Sequence, residues 1–249
     1  MDFSNIRPIS LSTDSEVGVL VSHGFTSTPE SMRPLCEALH KAGYNVECPI
    51  LSGHATNWKD PGNYKYTDWL NDLEKALDKL RGRSKIVFLA GLSMGGALLL
   101  LLVQKYPDLF KGIVLINNSA VFDDIKIKLL PIIKYFVRSA PPVASDIKKE
   151  GEREIAYDKL ITSSVVQLVK LNKIMVRNLN KVEIPVLIFK SREDHVVPSR
   201  SALTVYEGVK SEDRELVWLD NSYHVATQDN DSEFMFSRII DFIKKRIGD

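Results

Sequence analysis

The chain is short of the features that mark specialised classes of protein. It carries two cysteines in 249 residues, Cys36 and Cys48, without the spacing of a metal site; such a pair reads as buried free thiols rather than as a disulfide framework. Charge of one sign is also lacking. The 33 Lys and Arg nearly cancel the 32 Asp and Glu, leaving a formal net charge of +1, and no basic stripe is interleaved with aromatics, which argues against nucleic-acid binding. No apolar run is long. The longest, Ala97 to Val103, falls far short of a bilayer span, and Met1-Asp2-Phe3-Ser4-Asn5 has neither the basic nor the apolar region of a secretory signal, so the expected location is the cytoplasm.

What remains is an ordinary soluble composition, 44% hydrophobic and 26% charged, in a chain long enough for one large core. Val17-Gly18-Val19-Leu20-Val21 reads as the first strand. A helix follows from about Pro29 to Lys41, with Leu35, Leu39 and Ala42 at helical spacing, Thr28 as N-cap, Pro29 at the first helical position and Gly43 as the stop. Tyr44 to Pro49 reads as a second strand. Strand, helix and strand recur at Ile86 to Ala90, Met94 to Tyr106 and Gly112 to Ile116, with two helices' worth of alternation between Tyr66 and Leu80. After residue 182 the rhythm resumes: strand Pro185 to Phe189, a helix near Arg200 to Val209, strand Glu215 to Leu219 and an amphipathic helix Ser232 to Ile247. Strands alternating with helices in this way predict a three-layer α/β/α fold around a mostly parallel sheet.

Between residues 119 and 182 the rhythm breaks, and the stretch reads as wholly helical, with Ile125 to Leu130 and Ile132 to Val137 separated by Pro131. Residues 1–118 and 183–249 are therefore expected to form the core and 119–182 a helical cap. An insertion there would lie over the carboxyl edge of the sheet, where ligands bind in open α/β folds. The segment holds twelve Lys and Arg against seven Asp and Glu. That surplus fits either a solvated face or a transient contact with lipid aggregates or a membrane surface.

The most informative residues are Gly91-Leu92-Ser93-Met94-Gly95, because they fall where an apolar strand gives way to a helix. G-x-S-x-G at that junction is a nucleophile elbow, in which small residues permit the tight turn that lifts a serine hydroxyl above the sheet. Gly96 and Ala97 allow the new helix to pack closely beneath it. A serine needs a base, and the base needs a carboxylate to orient it; in this arrangement the chain order is Ser, acid, His. Asp194, with neighbouring Glu193 as its rival, follows the strand ending near Phe189. His224 follows the next strand. Of the other histidines, His40 lies in a helix, His54 in a loop after a strand where it serves a turn, His195 directly beside the acid, and His23 just before the loop expected to build the oxyanion hole. The predicted triad is Ser93, Asp194 and His224, with the oxyanion held by the backbone amides of Met94 and Phe25.

Taken together, Ser22-His23-Gly24-Phe25-Thr26-Ser27-Thr28-Pro29, Gly91-Leu92-Ser93-Met94-Gly95-Gly96, Glu193-Asp194-His195-Val196-Val197-Pro198 and Asn221-Ser222-Tyr223-His224 resemble the α/β-hydrolase superfamily. More narrowly they resemble the bacterial and archaeal monoacylglycerol lipases and related carboxylesterases, from about residue 15 onward. The resemblance implies a helical cap over a largely hydrophobic acyl tunnel, no metal and no cofactor, and hydrolysis of monoacylglycerols or short to medium acyl esters. It also implies that Glu154, in Glu152-Arg153-Glu154-Ile155-Ala156-Tyr157, meets the polar head of the glycerol moiety. Gly53-His54-Ala55 departs from the Gly-His-Gly usual in such relatives. The same residues leave room for a general carboxylesterase or thioesterase, and for a ligand-binding sensor on a hydrolase scaffold.

Overall fold

Strands that are apolar on both faces must be covered on both faces, which is the condition of a parallel sheet between two helix layers. In the computed structural model, which describes residues 2–122, 138–140 and 145–247, the main strands are β1 (Ile9–Leu11), β2 (Val17–Ser22), β3 (Asn45–Cys48), β4 (Ile86–Leu92) and β5 (Gly112–Ile116). A two-stranded ribbon follows, β6 (Ser139–Ala140) with β7 (Leu160–Ile161), and then β8 (Val186–Ser191) and β9 (Arg214–Leu219) return to the sheet. The seven-stranded sheet has the order β1-β3-β2-β4-β5-β8-β9. It is parallel throughout except for β1, which pairs antiparallel with β3. At three residues β1 is too short to leave a periodic signal, and the sequence reading missed it.

Side-chain alternation divides the sheet between two cores. Val87 and Leu89, Ile113 and Leu115, and Val186 and Ile188 face α2 (Tyr66–Arg81), α3 (Met94–Lys105), α4 (Thr162–Arg177) and α5 (Ser199–Gly208). Phe88, Val114 and Leu187 face α1 (Arg33–Lys41) and α6 (Ser232–Ile247) on the other side. Helix α3 is buried from Met94 to Val103, because the sheet lies on one side of it and α4 packs on another; hence its unbroken apolar run.

Two expectations need correction. Tyr66 to Arg81 is one continuous helix rather than two: it contains no Gly or Pro, and the Asp68 carboxylate closes its first turn by accepting the Lys65 amide at 2.7 Å. The segment before α4 is not wholly helical. Among the described residues it contains the ribbon and an irregular stretch over 145–159, and Gly151 sits at φ 83°. Its amides find partners in the loops of the core instead of within a helix: Lys148 and Lys149 donate to Asp229 at 2.8 and 2.9 Å, and Tyr157 donates to the Thr26 carbonyl at 3.0 Å. The predicted helices Ile125–Leu130 and Ile132–Val137 lie outside the described residues.

Candidate active site

The elbow is built by backbone contacts. Strand β4 ends at Leu92 and α3 begins at Met94, so the chain reverses at Ser93, with φ 55° and ψ −119°. A non-glycine residue in such a conformation costs on the order of 1–3 kcal/mol and persists only where its surroundings enforce it. Here the Ser93 amide donates to the Ile116 carbonyl at 2.9 Å, and the Ser93 carbonyl accepts the amides of Gly96 at 3.1 Å and Ser119 at 3.2 Å. A Cβ on Gly95 would overlap the Ser22 carbonyl oxygen and stand 2.6 Å from that of His23, and one on Gly91 would stand 2.6 Å from the Gly96 nitrogen. The two glycines are thus required by close backbone approach.

The loop leaving β2 passes beside the serine, since a Cβ on Gly24 would lie 3.4 Å from the Ser93 Cβ. Phe25 follows Gly24 in that loop and Met94 opens α3, which is where the structure places the two predicted oxyanion donors. Behind the loop, the ring of His23 accepts the Leu51 amide at Nε2 (3.2 Å) while its Nδ1 lies 2.9 Å from the Gly24 carbonyl. This leaves one tautomer of a neutral imidazole, with the proton on Nδ1 donated to Gly24. Burial, with His54 adding to it, lowers His23 to about 3; burial likewise lowers His54 to about 4. The two rings are 5.2 Å apart, and Phe25 and Trp69 pack edge-on around them. Ala55, at the position where the resembling enzymes have glycine, adopts φ 55°.

The carboxyl ends of β8 and β9 bring Asp194 and His224 together. Nδ1 of His224 lies 3.1 and 3.0 Å from the two carboxylate oxygens of Asp194, and Asp194 Oδ1 also accepts the amides of Val196 and Val197 at 2.9 Å each. Burial opposes a charge on Asp194, but His224 and Lys190 beside it hold its carboxyl well below the usual carboxylate range. Glu193, the rival acid, points to the surface and pairs with Lys148 at 3.3 Å. His195 is an exposed ring paired with Asp146 at 2.8 Å. Ser93 and His224 are bound to consecutive residues of one strand end: Ile116 accepts the Ser93 amide, and Asn117 Nδ2 donates to the His224 carbonyl at 2.8 Å.

Four supporting residues were not found from the sequence. Asn117 (φ 44°) also binds the Tyr223 carbonyl and Ser191. Lys190, fully buried, forms an ion pair with Asp194 and donates to the Val197 carbonyl at 2.9 Å. Asp146 accepts the amides of His195 and His224 at 3.1 Å each. Asp229 accepts the amides of Lys148, Lys149, Tyr223 and Asn230. Only Lys190 left a trace: a lysine two residues beyond Ile188 falls on the core-facing side of an apolar strand.

Glu154 is buried, and its Oε2 accepts the Ser145 amide at 3.2 Å. Its neighbours tie this segment to the loop over the serine, through Tyr157 to Thr26 and through the Thr28 hydroxyl, which donates to the Ile155 carbonyl at 3.1 Å. Tyr157 reaches on to the Gly53 carbonyl at 2.7 Å. Thr26, Ser93, Asn117 and Ser145 all have positive φ, so backbone strain concentrates around one place, as it does at functional sites.

A strained serine at a strand-to-helix turn, with an Asp–His pair at the next strand ends of a mostly parallel sheet, defines the α/β hydrolases. The chain belongs to that class and matches, over residues 14–231, the family described as serine aminopeptidase, S33. It is 41% identical over 237 residues, 93% of this chain and 92% of the relative, to a thermostable monoacylglycerol lipase of Bacillus sp. (strain H-257). It is 24% identical over 229 residues, 91% of this chain and 92% of the relative, to a carboxylesterase of Bacillus subtilis (strain 168). Among solved structures it superposes on a metagenome-derived lipolytic enzyme with TM-score 0.94 and 39% identity, covering 97% of this chain and 98% of the other. The Paleococcus ferrophilus monoacylglycerol lipase shares the fold, with TM-score 0.81 at 15% identity over 97% of this chain and 99% of the other.

Proposed function

We propose that this protein is a serine esterase that hydrolyses monoacylglycerols to fatty acid and glycerol through an acyl-enzyme on Ser93. The observation that carries the chemistry is the strained Ser93 on the same sheet edge as the 3.0 Å Asp194–His224 contact. His224 takes the Ser93 proton, the hydroxyl attacks the ester carbonyl, and the amides of Phe25 and Met94 hold the developing oxyanion. Glycerol leaves with the proton from His224. Water then attacks the acyl-enzyme with the same base, and Asp194 orients the imidazole and supports its charge.

Support for a monoacylglycerol comes from the 41% identical lipase and from Glu154, a buried carboxylate on the segment that crosses the loop over the serine. Free glycerol hydroxyls would donate to that carboxylate; a methyl ester would leave it without them, and buried groups deprived of a partner penalise the wrong substrate. Of the segment 119–182, the stretch 145–159 covers this site while α4 packs against α3 in the core, and the positive surplus of the segment suits brief contact with lipid aggregates. The test compares hydrolysis of 1-lauroylglycerol with methyl laurate, with Ser93→Ala as control. A strong preference for the glyceride and an inactive control are expected. Equal rates would instead make this a general carboxylesterase.

A further inference from the structure

Strand β8 places Val186 and Ile188 in the core, and the next residue on that face is Lys190. A lysine inside an apolar layer is costly unless its charge is met. Its ammonium is fully buried and forms an ion pair with Asp194, donates to the Val197 carbonyl at 2.9 Å and lies 3.4 Å from Asn117 Oδ1. The fold does not need a lysine to hold the acid in place: Asp194 Oδ1 already accepts two backbone amides. What the ammonium adds is a second claim on the carboxylate that His224 uses.

We infer that Lys190 is a positioning residue of the active site, whose ammonium shares the Asp194 carboxylate with His224 and so weakens the hold of Asp194 on a protonated imidazole. This rests on the triad proposed above. A base that must start neutral is lost when the imidazolium is too stable, so a cation beside its acid extends activity toward lower pH. The other charged groups facing the pair are Asp146, which accepts the His224 amide at 3.1 Å, and Asp229, which accepts the Tyr223 amide at 2.8 Å. Asp146 is itself paired with the exposed ring of His195, and Lys148 meets Glu193 at the outer rim. Among the described residues, Lys190 is the cation in direct contact with Asp194. Burial pulls the lysine below its ordinary value, while Asp194, with Asp146 behind it, works to keep it charged.

The test is the pH dependence of kcat/KM for Lys190→Met, which keeps the length of the side chain and removes its charge. The acid limb should move up by about one pH unit. A limb that stays in place in a folded variant overturns the inference. Lys190→Val, which continues the Val186 and Ile188 pattern, is measured in parallel. If neither variant folds, the lysine is structural and the inference fails. Ser93→Ala in the same assay separates the two readings: retained activity would remove the triad itself, whereas an inactive control with an unmoved limb removes only the role of Lys190.

Discussion

Gly95 shows how little freedom the elbow leaves. Its α-carbon stands so close to the end of β2 and the loop leaving it that a methyl group would meet the Ser22 and His23 carbonyls, neither of which can swing away as a side chain can. Gly95→Ala must therefore displace either α3, which carries Ser93, or the loop that carries Phe25. A shift of about 1 Å in a catalytic array costs about 10²-fold in rate. A loss of that order in kcat/KM is expected, with a smaller change in KM, and steady-state kinetics on 1-lauroylglycerol checks it. Residue identities of this kind were legible in the sequence, because close approach and tight turns leave so few options. Asn117 and Asp146 were not, since a polar residue at a strand end or in a loop reveals nothing of which distant amide it will meet.

At the scale of elements, the stretch 145–149 is fastened to the His224 loop rather than folded on itself. Asp229 is the fastening: its carboxylate accepts amides from Lys148 and Lys149 on one side and from Tyr223 on the other, at 2.8–2.9 Å. Removing it leaves several amides without a charged acceptor, each such bond being worth about 1.5–3 kcal/mol before non-additivity. Asp229→Ala should lose about 3 kcal/mol, a fall in Tm of about 6–12 °C for a chain of this size, together with reduced kcat as the His224 loop loosens. Calorimetry and turnover measured on the same sample test this. The helices and strands of the core were readable because their burial follows a local period. The segment before α4 was not, because its amides are satisfied by Asp229 and Thr26, which are far away in sequence.

For the molecule as a whole, pH acts on stability through His23 and His54. Both are buried neutral behind the loop that carries Phe25, with values lowered by burial to about 3 and about 4 against an ordinary 6.5. Below pH 6.5 the unfolded chain binds protons that the folded chain refuses, so their contribution is complete above pH 6.5 and declines as pH falls, until the folded values are reached. At about 1.4 kcal/mol per pH unit for each ring, stability at pH 5 should be about 4 kcal/mol below that at pH 7. Asp194, whose folded value is depressed, adds its own loss only below the ordinary carboxylate value near 3.8. Urea unfolding at the two pH values measures the difference, and His54→Gln should remove about half of it.

The sequence by itself determined the strand and helix rhythm, the elbow, and the chain order of Ser93, Asp194 and His224, because each depends on a local period or on a turn that few residues can make. It also singled out Glu154 through resemblance, but not the burial that surrounds it. Only the tertiary structure decided that Asp194 rather than Glu193 meets the imidazole, that His23 and His54 are neutral struts, and that Lys190 sits against the acid. Those outcomes are set by which strand ends and loops come to lie side by side, and by how much water is left between them, neither of which is written in residue order.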